Sequence, residues 1–180
     1  MSRRGTQITI LCEDLQQEVF ARHFFLRRGF HHKKIKINRN TKGKGSGEQY
    51  VRSHYAEEVK NYRSKSTYLS HCLAVVIDAD KHTIEERLRQ LDATLEDDGQ
   101  PKRQPNEKIA IFVPKRNIET WIHYLKGEAV DEETAYPKLA RESQCKPHID
   151  KLVKNICPAG LPEDAPPSLH AACEELSRIL

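Results

Sequence analysis

Short apolar runs separated by longer amphipathic segments dominate the first two thirds of the chain. The clearest runs, at 7–12 and 73–77, are apolar at nearly every position and rich in β-branched residues. Runs of this length and composition are typical of strands that are buried on both faces of a sheet. Weaker patterns of the same kind predict further strands at 34–38 and 109–113.

Each predicted strand is followed by a segment whose apolar residues recur at helical spacing. The first helix begins at Asp14, which with Gln17 resembles a capping box, and ends before Gly29. The other helices are predicted over 48–63, over 83–95, and from Asn117 to Gly127. Alternation of strands and helices predicts the α/β fold class, with a mostly parallel sheet flanked by helices.

The pattern weakens in the last third of the chain. Beyond 130, short helical segments are separated by Pro137, by Pro147 and by the proline-rich stretch 158–167. We therefore expect an α/β domain over 1–130 and a helical C-terminal extension over 131–180.

The sequence predicts a soluble cytoplasmic protein. No apolar run reaches the length of a membrane span, and none follows the N-terminal residues as a signal peptide would require. The cysteine count is five, with no paired motif and no zinc-like spacing, which favours reduced thiols.

Positive charge is concentrated in one segment, although the formal net charge is only +4. Between Arg27 and Lys65 there are twelve Lys and Arg residues and three Glu residues. Such a segment suits a phosphate-bearing partner, and the alternative is a solvated surface. The glycine-rich stretch 40–47 carries Lys42 and Lys44 and is either a phosphate-contacting loop or a flexible connector, because it does not satisfy the P-loop pattern.

Acidic residues follow two of the predicted strands directly. Glu13 follows the first strand, and Asp78 and Asp80 follow the third. The carboxyl ends of parallel strands share one edge of the sheet, so these carboxylates are expected to converge there. Residues two apart on an extended chain point the same way, so both aspartates would face one cation or two adjacent cations, for which Mg²⁺ or Mn²⁺ is the natural choice. The alternative is that an aspartate only caps the following turn.

Further candidates lie in the helix that follows the last predicted strand. Glu119 and His123 are one turn apart and are candidates for a further metal ligand and a proton shuttle. Trp121, between them, is expected in the core. Tyr55 and Tyr62 fit either a buried helix face or base-stacking positions among the basic residues.

These segments resemble the Toprim domain of topoisomerases, primases and related nucleases. The resemblance covers about 7–126 and rests on Ile-Leu-Cys-Glu13, on Val-Val-Ile-Asp78-Ala-Asp80, and on the segment Ile-Phe-Val-Pro-Lys-Arg-Asn-Ile-Glu119-Thr-Trp121. It is closer to the small stand-alone Toprim-like proteins of prokaryotic defence loci that are related to the OLD (overcoming lysogenization defect) nucleases.

The resemblance implies metal-dependent phosphodiester cleavage of DNA or RNA. Glu13 would be a general base or a ligand, Asp78 and Asp80 would hold Mg²⁺ or Mn²⁺, and Glu119 is a candidate further ligand. Lys36, Arg39, Lys42 and Lys44 would contact the nucleic acid. A second gene product is a further partner that the resemblance implies.

Two positions depart from the family pattern. Asp14 stands where a glycine is usual, and Gln17 stands where many relatives have a second acid. They favour an alternative in which the chain is a non-catalytic subunit that binds nucleic acid or a partner protein. An enzyme acting on nucleotides or nucleotide-sugars is a second alternative, but the sequence contains no pattern for the base-and-ribose pocket that it needs.

Overall fold

A computed structural model describes residues 3–156 and 160–180. Its centre is a sheet of four parallel strands, which confirms the predicted α/β class. The strands are β1 (Gln7–Cys12), β2 (Ile35–Arg39), β3 (His71–Val76) and β4 (Ile109–Phe112), in the spatial order β2-β1-β3-β4. The predicted strands match these within two residues at each end.

Helices connect the strands and continue beyond the last one. Within the described ranges they are α1 (Leu15–Arg27), α2 (Gly47–Ser66), α3 (Ile84–Asp97), α4 (Ile118–Leu125), α5 (Lys146–Lys151), which continues into a π-helical turn (Leu152–Ile156), and α6 (Pro167–Leu176). Short 3₁₀ turns lie at Arg3–Gly5, His32–Lys34 and Glu142–Cys145.

Side chains on the two faces of the sheet form two separate apolar layers. Ile8 and Ile10 face the layer made with α1, α4, α5 and α6. Leu73 and Val75 face the layer made with α2 and α3, where Tyr55 and the other buried residues of the α2 stripe also lie. Because alternate residues of a strand point to opposite faces, a strand covered on both sides is apolar at most positions, as β1 and β3 are. The buried polar side chains of Thr9 and His71 lie within 3.1 Å of each other and form a hydrogen bond.

The C-terminal segment packs on the same layer as α1 and α4. Ile149 and Leu169 are buried within this layer, and the predicted core residue Trp121 is only 3% exposed. The indole Nε1 of Trp121 donates to Ser168 Oγ at 2.8 Å, which connects α4 to α6. The segment therefore completes one side of the central core.

The order of the strands creates a switch point. The chain passes from β1 to β2 on one side and then returns to place β3 on the other side of β1. In open parallel sheets, ligands bind outside the carboxyl ends of the strands where the order reverses in this way. Here that crevice lies between the ends of β1 and β3.

The outer edge of β4 is capped by an ion pair. Arg103 Nη1 donates to the Ile109 carbonyl at 3.0 Å, and the Ile111 amide donates to Glu175 Oε2 at 2.9 Å. Arg103 and Glu175 also pair with each other. A parallel strand would use its own N–H and C=O to occupy these same two backbone groups, so the ion pair takes the place of one residue of a fifth strand.

Three of the cysteines behave as predicted and one does not. Cys12, Cys72 and Cys145 are free and buried. Cys173 is disulfide-bonded, so the expectation of reduced thiols is wrong at that position. Cys157 lies outside the described residues. Within the ranges that the structure describes, no helix is long and apolar enough to cross a membrane.

Replacing Glu175 with alanine should lower the free energy of unfolding. The Ile111 amide would lose its acceptor and Arg103 would lose its carboxylate, and a donor left without a partner costs about 1–3 kcal/mol. Glu174→Ala is the matched control, because this exposed neighbour on α6 has the same helix propensity. Urea unfolding of the two variants measures the difference, and equal stabilities would show that the cap contributes nothing.

Candidate functional site

Glu13 and Asp78 meet at the switch point. Glu13 directly follows β1, and Asp78 lies two residues beyond the end of β3. The backbone amide of Asp78 donates to Glu13 Oε1 at 2.6 Å. The convergence expected of these two strand ends is therefore present in the structure.

The start of α1 fixes the backbone at Glu13. Asp14 is the N-cap of α1, as predicted, and its Oδ1 accepts from the Gln17 amide at 2.9 Å. Gln17 is fully buried, and its Oε1 accepts from the Glu13 amide at 2.9 Å. The two departures from the family pattern thus have a local structural role, since both hold the turn that carries Glu13.

Two buried carboxylates have an oxygen without a partner. Asp78 is 7% exposed and Glu119, in the first turn of α4, is 2% exposed. Asp78 Oδ1 and Glu119 Oε1 accept no hydrogen bond from any described residue. Buried polar atoms in folded proteins are nearly always paired, so two such orphans beside one cleft indicate a ligand site.

The carboxylates raise one another's proton affinity. Burial, opposed by the Asp78 amide and assisted by Asp80 and Asp14, raises the pKa of Glu13 to about 8. Burial and then the charges of Glu13 and Glu119 raise the pKa of Asp78 well above its usual range. Burial also raises the pKa of Glu119. A bound cation would relieve this repulsion.

The backbone from Asp78 to Asp80 is not extended, so the extended geometry expected for this pair is wrong. The strand ends at Val76, and Asp80 has a left-handed backbone with φ 52°. Its amide donates to the carbonyl of Arg116 at 3.0 Å, and Arg116 is also left-handed, with φ 68°. The turn directs the Asp80 side chain outward, where it is half exposed.

A buried arginine on α3 binds this turn. Arg87 is 2% exposed, and its Nη2 donates to Asp80 Oδ2 at 2.9 Å. Its Nε donates to the Asp78 carbonyl at 2.9 Å, and its Nη1 donates to Glu48 Oε2 and to Gln90 Oε1, each at 2.9 Å. Sequence reasoning missed Arg87. In the sequence, Arg87 could have been recognised as a positively charged residue on the inward face of α3, one turn after Ile84.

The carboxylates open onto a cleft of about 450 Å³. The residues around it are Glu13, Asp14, Leu15, Arg39, Asn40, Gly43, Gly45, Gly47, Asp78, Asp80, Asn117, Glu119 and Lys138. The glycine-rich segment thus borders the acidic residues. Gly47 packs so closely on Glu13 that a Cβ atom there would lie 2.7 Å from the Glu13 Cβ.

The predicted basic residues are distributed unevenly around this cleft. Lys42 and Lys44 are exposed on the loop and form no ion pair with any described residue. Arg39 lines the cleft, with its Nε donating to Glu18 Oε2 at 2.6 Å. Lys36 is exposed on β2 and does not line the cleft, whereas Lys138, which sequence reasoning missed, does.

His123 is directed away from the cleft. Its Nδ1 pairs with Glu128, and its Nε2 lies 3.2 Å from the Pro137 carbonyl oxygen. It therefore connects α4 to the segment that follows it. The earlier hypothesis of a ligand or proton shuttle at His123 has no support from this geometry.

The residues of the cleft fit a divalent cation only in part. Among the residues that the structure describes, no three His, Cys, Asp or Glu side chains are arranged to hold a metal ion between them. The pair Asp78 and Glu119 does offer free carboxylate oxygens in a shielded position. Mg²⁺ is commonly held by one or two carboxylates and completed by water and substrate phosphates, so two such ligands are enough for it.

No family model, curated protein or solved structure matches the chain.

The raised pKa of Glu13 predicts that stability falls as pH rises. Between its ordinary value of 4.5 and about 8, Glu13 holds a proton in the folded state and not in the unfolded state. Each such proton lowers the free energy of unfolding by about 1.4 kcal/mol per pH unit over that interval. In Glu13→Gln this contribution should disappear, so that the slope measured in EDTA becomes shallower.

The measurement belongs between pH 6.5 and 8. Burial lowers the pKa of His71 to about 4, which makes stability rise with pH below 6.5 and opposes the effect of Glu13 there. Glu133→Gln, at an exposed position, is the matched control and should keep the wild-type slope. Identical slopes for Glu13→Gln and the wild type would contradict a raised pKa at Glu13.

Proposed function

We propose that the chain is a Toprim-like nuclease that cleaves phosphodiester bonds of DNA or RNA with Mg²⁺ or Mn²⁺. The observation that carries the proposal is the pair of unpartnered buried oxygens, Asp78 Oδ1 and Glu119 Oε1, at the switch point of a parallel sheet. A glycine-rich, lysine-bearing loop borders the same cleft. Acidic ligands beside a phosphate-binding loop are what metal-dependent phosphoryl chemistry needs.

Asp78 and Glu119 would hold the cation, with Glu13 beside them. Both ligands are fixed on rigid elements, since the Asp78 carbonyl accepts from the buried Arg87 and Glu119 lies in the first turn of α4. When bound, the metal would polarise a phosphate and lower the pKa of a bound water. The protein supplies the orientation and shields the site from solvent.

Glu13 is the proposed general base. Its Oε1 is occupied by the Asp78 amide, which leaves Oε2 to accept a proton from the attacking water. A base works best when its pKa lies near the working pH, and the pKa of Glu13 is raised to about 8. The close packing of Gly47 holds the Glu13 side chain in place.

The loop before α2 is the proposed contact with the nucleic acid backbone. Gly43 and Gly45 have positive φ, at 64° and 74°, and line the cleft, while Lys42 and Lys44 project into solvent. Exposed ammonium groups on a glycine-rich loop can follow a phosphate backbone without reading its sequence. Lys36, outside the cleft, would contact a more distant phosphate.

A non-catalytic subunit is the second candidate. It is favoured by the absence, among the described residues, of a three-ligand metal group and by the use of Asp80 as a partner of Arg87. Such a subunit would keep the basic loop and bind nucleic acid or a protein partner. The second gene product and the cytoplasmic location remain predictions under both candidates.

The first test of the proposal is metal binding coupled to cleavage. Mn²⁺ should raise the free energy of unfolding of the wild type by about 2–3 kcal/mol at roughly 100 times its dissociation constant. The wild type should also cut single- or double-stranded substrates only with metal present. Asp78→Asn should lose both effects, because it removes one of two charged ligands at almost unchanged shape.

Glu13→Gln separates base from ligand in the same experiment. It should keep most of the stabilisation by Mn²⁺ but lower the cleavage rate by at least about 10²-fold, as loss of a general base does. Stabilisation by Mn²⁺ without cleavage of any substrate by the wild type would favour the non-catalytic subunit. A wild type indifferent to metal in both measurements would overturn the proposal.

The second test concerns the loop. Replacing Lys42 and Lys44 with alanine should weaken binding to all nucleic acid sequences about equally and make the slope of log K against log salt shallower by roughly one to two units. The matched control replaces Lys146 and Lys151, which are exposed on α5 and do not line the cleft. If the salt slope changed equally in both double variants, the loop would not be part of the nucleic acid interface.

A further inference from the structure

Arg87 is surrounded by the kind of oxygens that usually surround a divalent cation. Two carboxylate oxygens, from Glu48 and Asp80, and two carbonyl-type oxygens, from Asp78 and Gln90, each lie 2.9 Å from a nitrogen of its guanidinium group. Carboxylates and carbonyls are also the ligands that Mg²⁺ and Ca²⁺ prefer. In this structure the cation is supplied by the chain itself.

The position of Arg87 places this internal cation next to the proposed metal site. Arg87 Nε donates to the backbone carbonyl of Asp78, and the carboxylate of the same residue has the oxygen without a partner, Oδ1. Many phosphoryl-transfer sites hold two metal ions about 3.5–4 Å apart, one for the attacking and one for the leaving oxygen. Arg87 is too deeply buried to contact either of those oxygens, so its charge would instead balance the carboxylates at this strand end and hold them in place.

We propose that Arg87 is the fixed second cation of this site, so that the chain binds a single divalent ion, at Asp78 and Glu119, while Asp80 serves Arg87 and is not a ligand. This deepens the proposed function and rests on it. Arg87 is a positioning residue. It pairs with Asp80 and shares Glu48 with Arg52, and it joins the first turn of α2, which the phosphate-contacting loop enters, to the end of β3.

The energetics favour a permanent cation here over an exchangeable one. A guanidinium group is planar, weakly hydrated and always charged, so it is the cation best suited to a buried position with several oxygen acceptors. Breaking a buried ion pair leaves an uncompensated charge and is strongly unfavourable. Metal ions in solution would have to displace an anchored side chain that is 2% exposed, whereas at Asp78 Oδ1 and Glu119 Oε1 they would displace no protein group.

The number of bound ions is the first readout. Calorimetric titration of the full chain with Mn²⁺ should give a stoichiometry of one. Asp80→Asn should keep that stoichiometry with an affinity changed by less than about tenfold, because a half-exposed charge that is not a ligand acts only through solvent-screened attraction. Asp78→Asn should weaken binding by at least about 100-fold, since the number of charged ligands sets affinity over orders of magnitude.

The outcomes distinguish failure of this inference from failure of the proposed function. The role of Arg87 would be overturned if the wild type bound two ions. It would also be overturned if Asp80→Asn lost Mn²⁺ binding to the same extent as Asp78→Asn. Neither outcome contradicts a metal-dependent nuclease. No Mn²⁺ bound to the wild type would overturn both.

Arg87→Gln supplies a second readout that does not depend on cleavage. Removing the guanidinium leaves Asp80 without a cation and Glu48 with Arg52 alone, so the melting temperature in EDTA should fall, and Mn²⁺ should raise it by more than in the wild type. Arg89→Gln, exposed on the same helix, is the matched control and should respond to Mn²⁺ as the wild type does. An equal response in Arg87→Gln and the wild type would mean that Arg87 does not occupy the place of a cation. If Arg87→Gln does not fold, the Asp80→Asn titration decides alone.

Discussion

The hydrogen bond from the Asp78 amide to the Glu13 carboxylate is the contact on which the site depends. It joins the ends of β1 and β3 at the one place in the sheet where the strand order reverses. Because each strand is buried on both faces, neither end can shift without moving an apolar layer. The carboxylates are therefore held close together by the packing of the whole domain, against their mutual repulsion.

Two different devices deal with that repulsion. The buried guanidinium group of Arg87 pairs with Asp80 and shares Glu48 with Arg52. No described residue compensates Asp78 or Glu119 in the same way, and burial raises the pKa of both carboxyl groups. A fold that supplies a cation for one pair of acids and leaves the neighbouring acids unpaired has a local excess of uncompensated carboxyl groups. Functional sites are where such deficits are tolerated, since a ligand can remove them.

Sequence patterns predicted the fold better than the site. Strands such as β1 and β3 are readable because burial on both faces requires a continuous apolar run, and the approach of Glu13 to Asp78 follows from parallel strands alone. The direction of Asp80 was not predictable in this way. It depends on a left-handed turn stabilised by the Arg116 carbonyl, which lies far along the chain. Aspartate adopts that conformation more often than most residues, but only in a small fraction of cases, so its presence at this position does not predict the turn.

The residues that sequence reasoning missed share one physical property: each acts through a contact between elements distant in sequence. Arg87 lies on the inward face of an amphipathic helix, where the helical pattern of apolar residues shows it only as a charged residue next to the apolar ones. Lys138 reaches the cleft from a segment without periodicity. Glu175 satisfies the edge of β4 from the last helix. Charged residues are almost never buried without partners, so a cation on an otherwise apolar face implies nearby anions even before they are found. Applied to α3, that rule would have pointed from Arg87 to the acidic turn after β3, where its guanidinium group binds the Asp78 carbonyl and the Asp80 carboxylate.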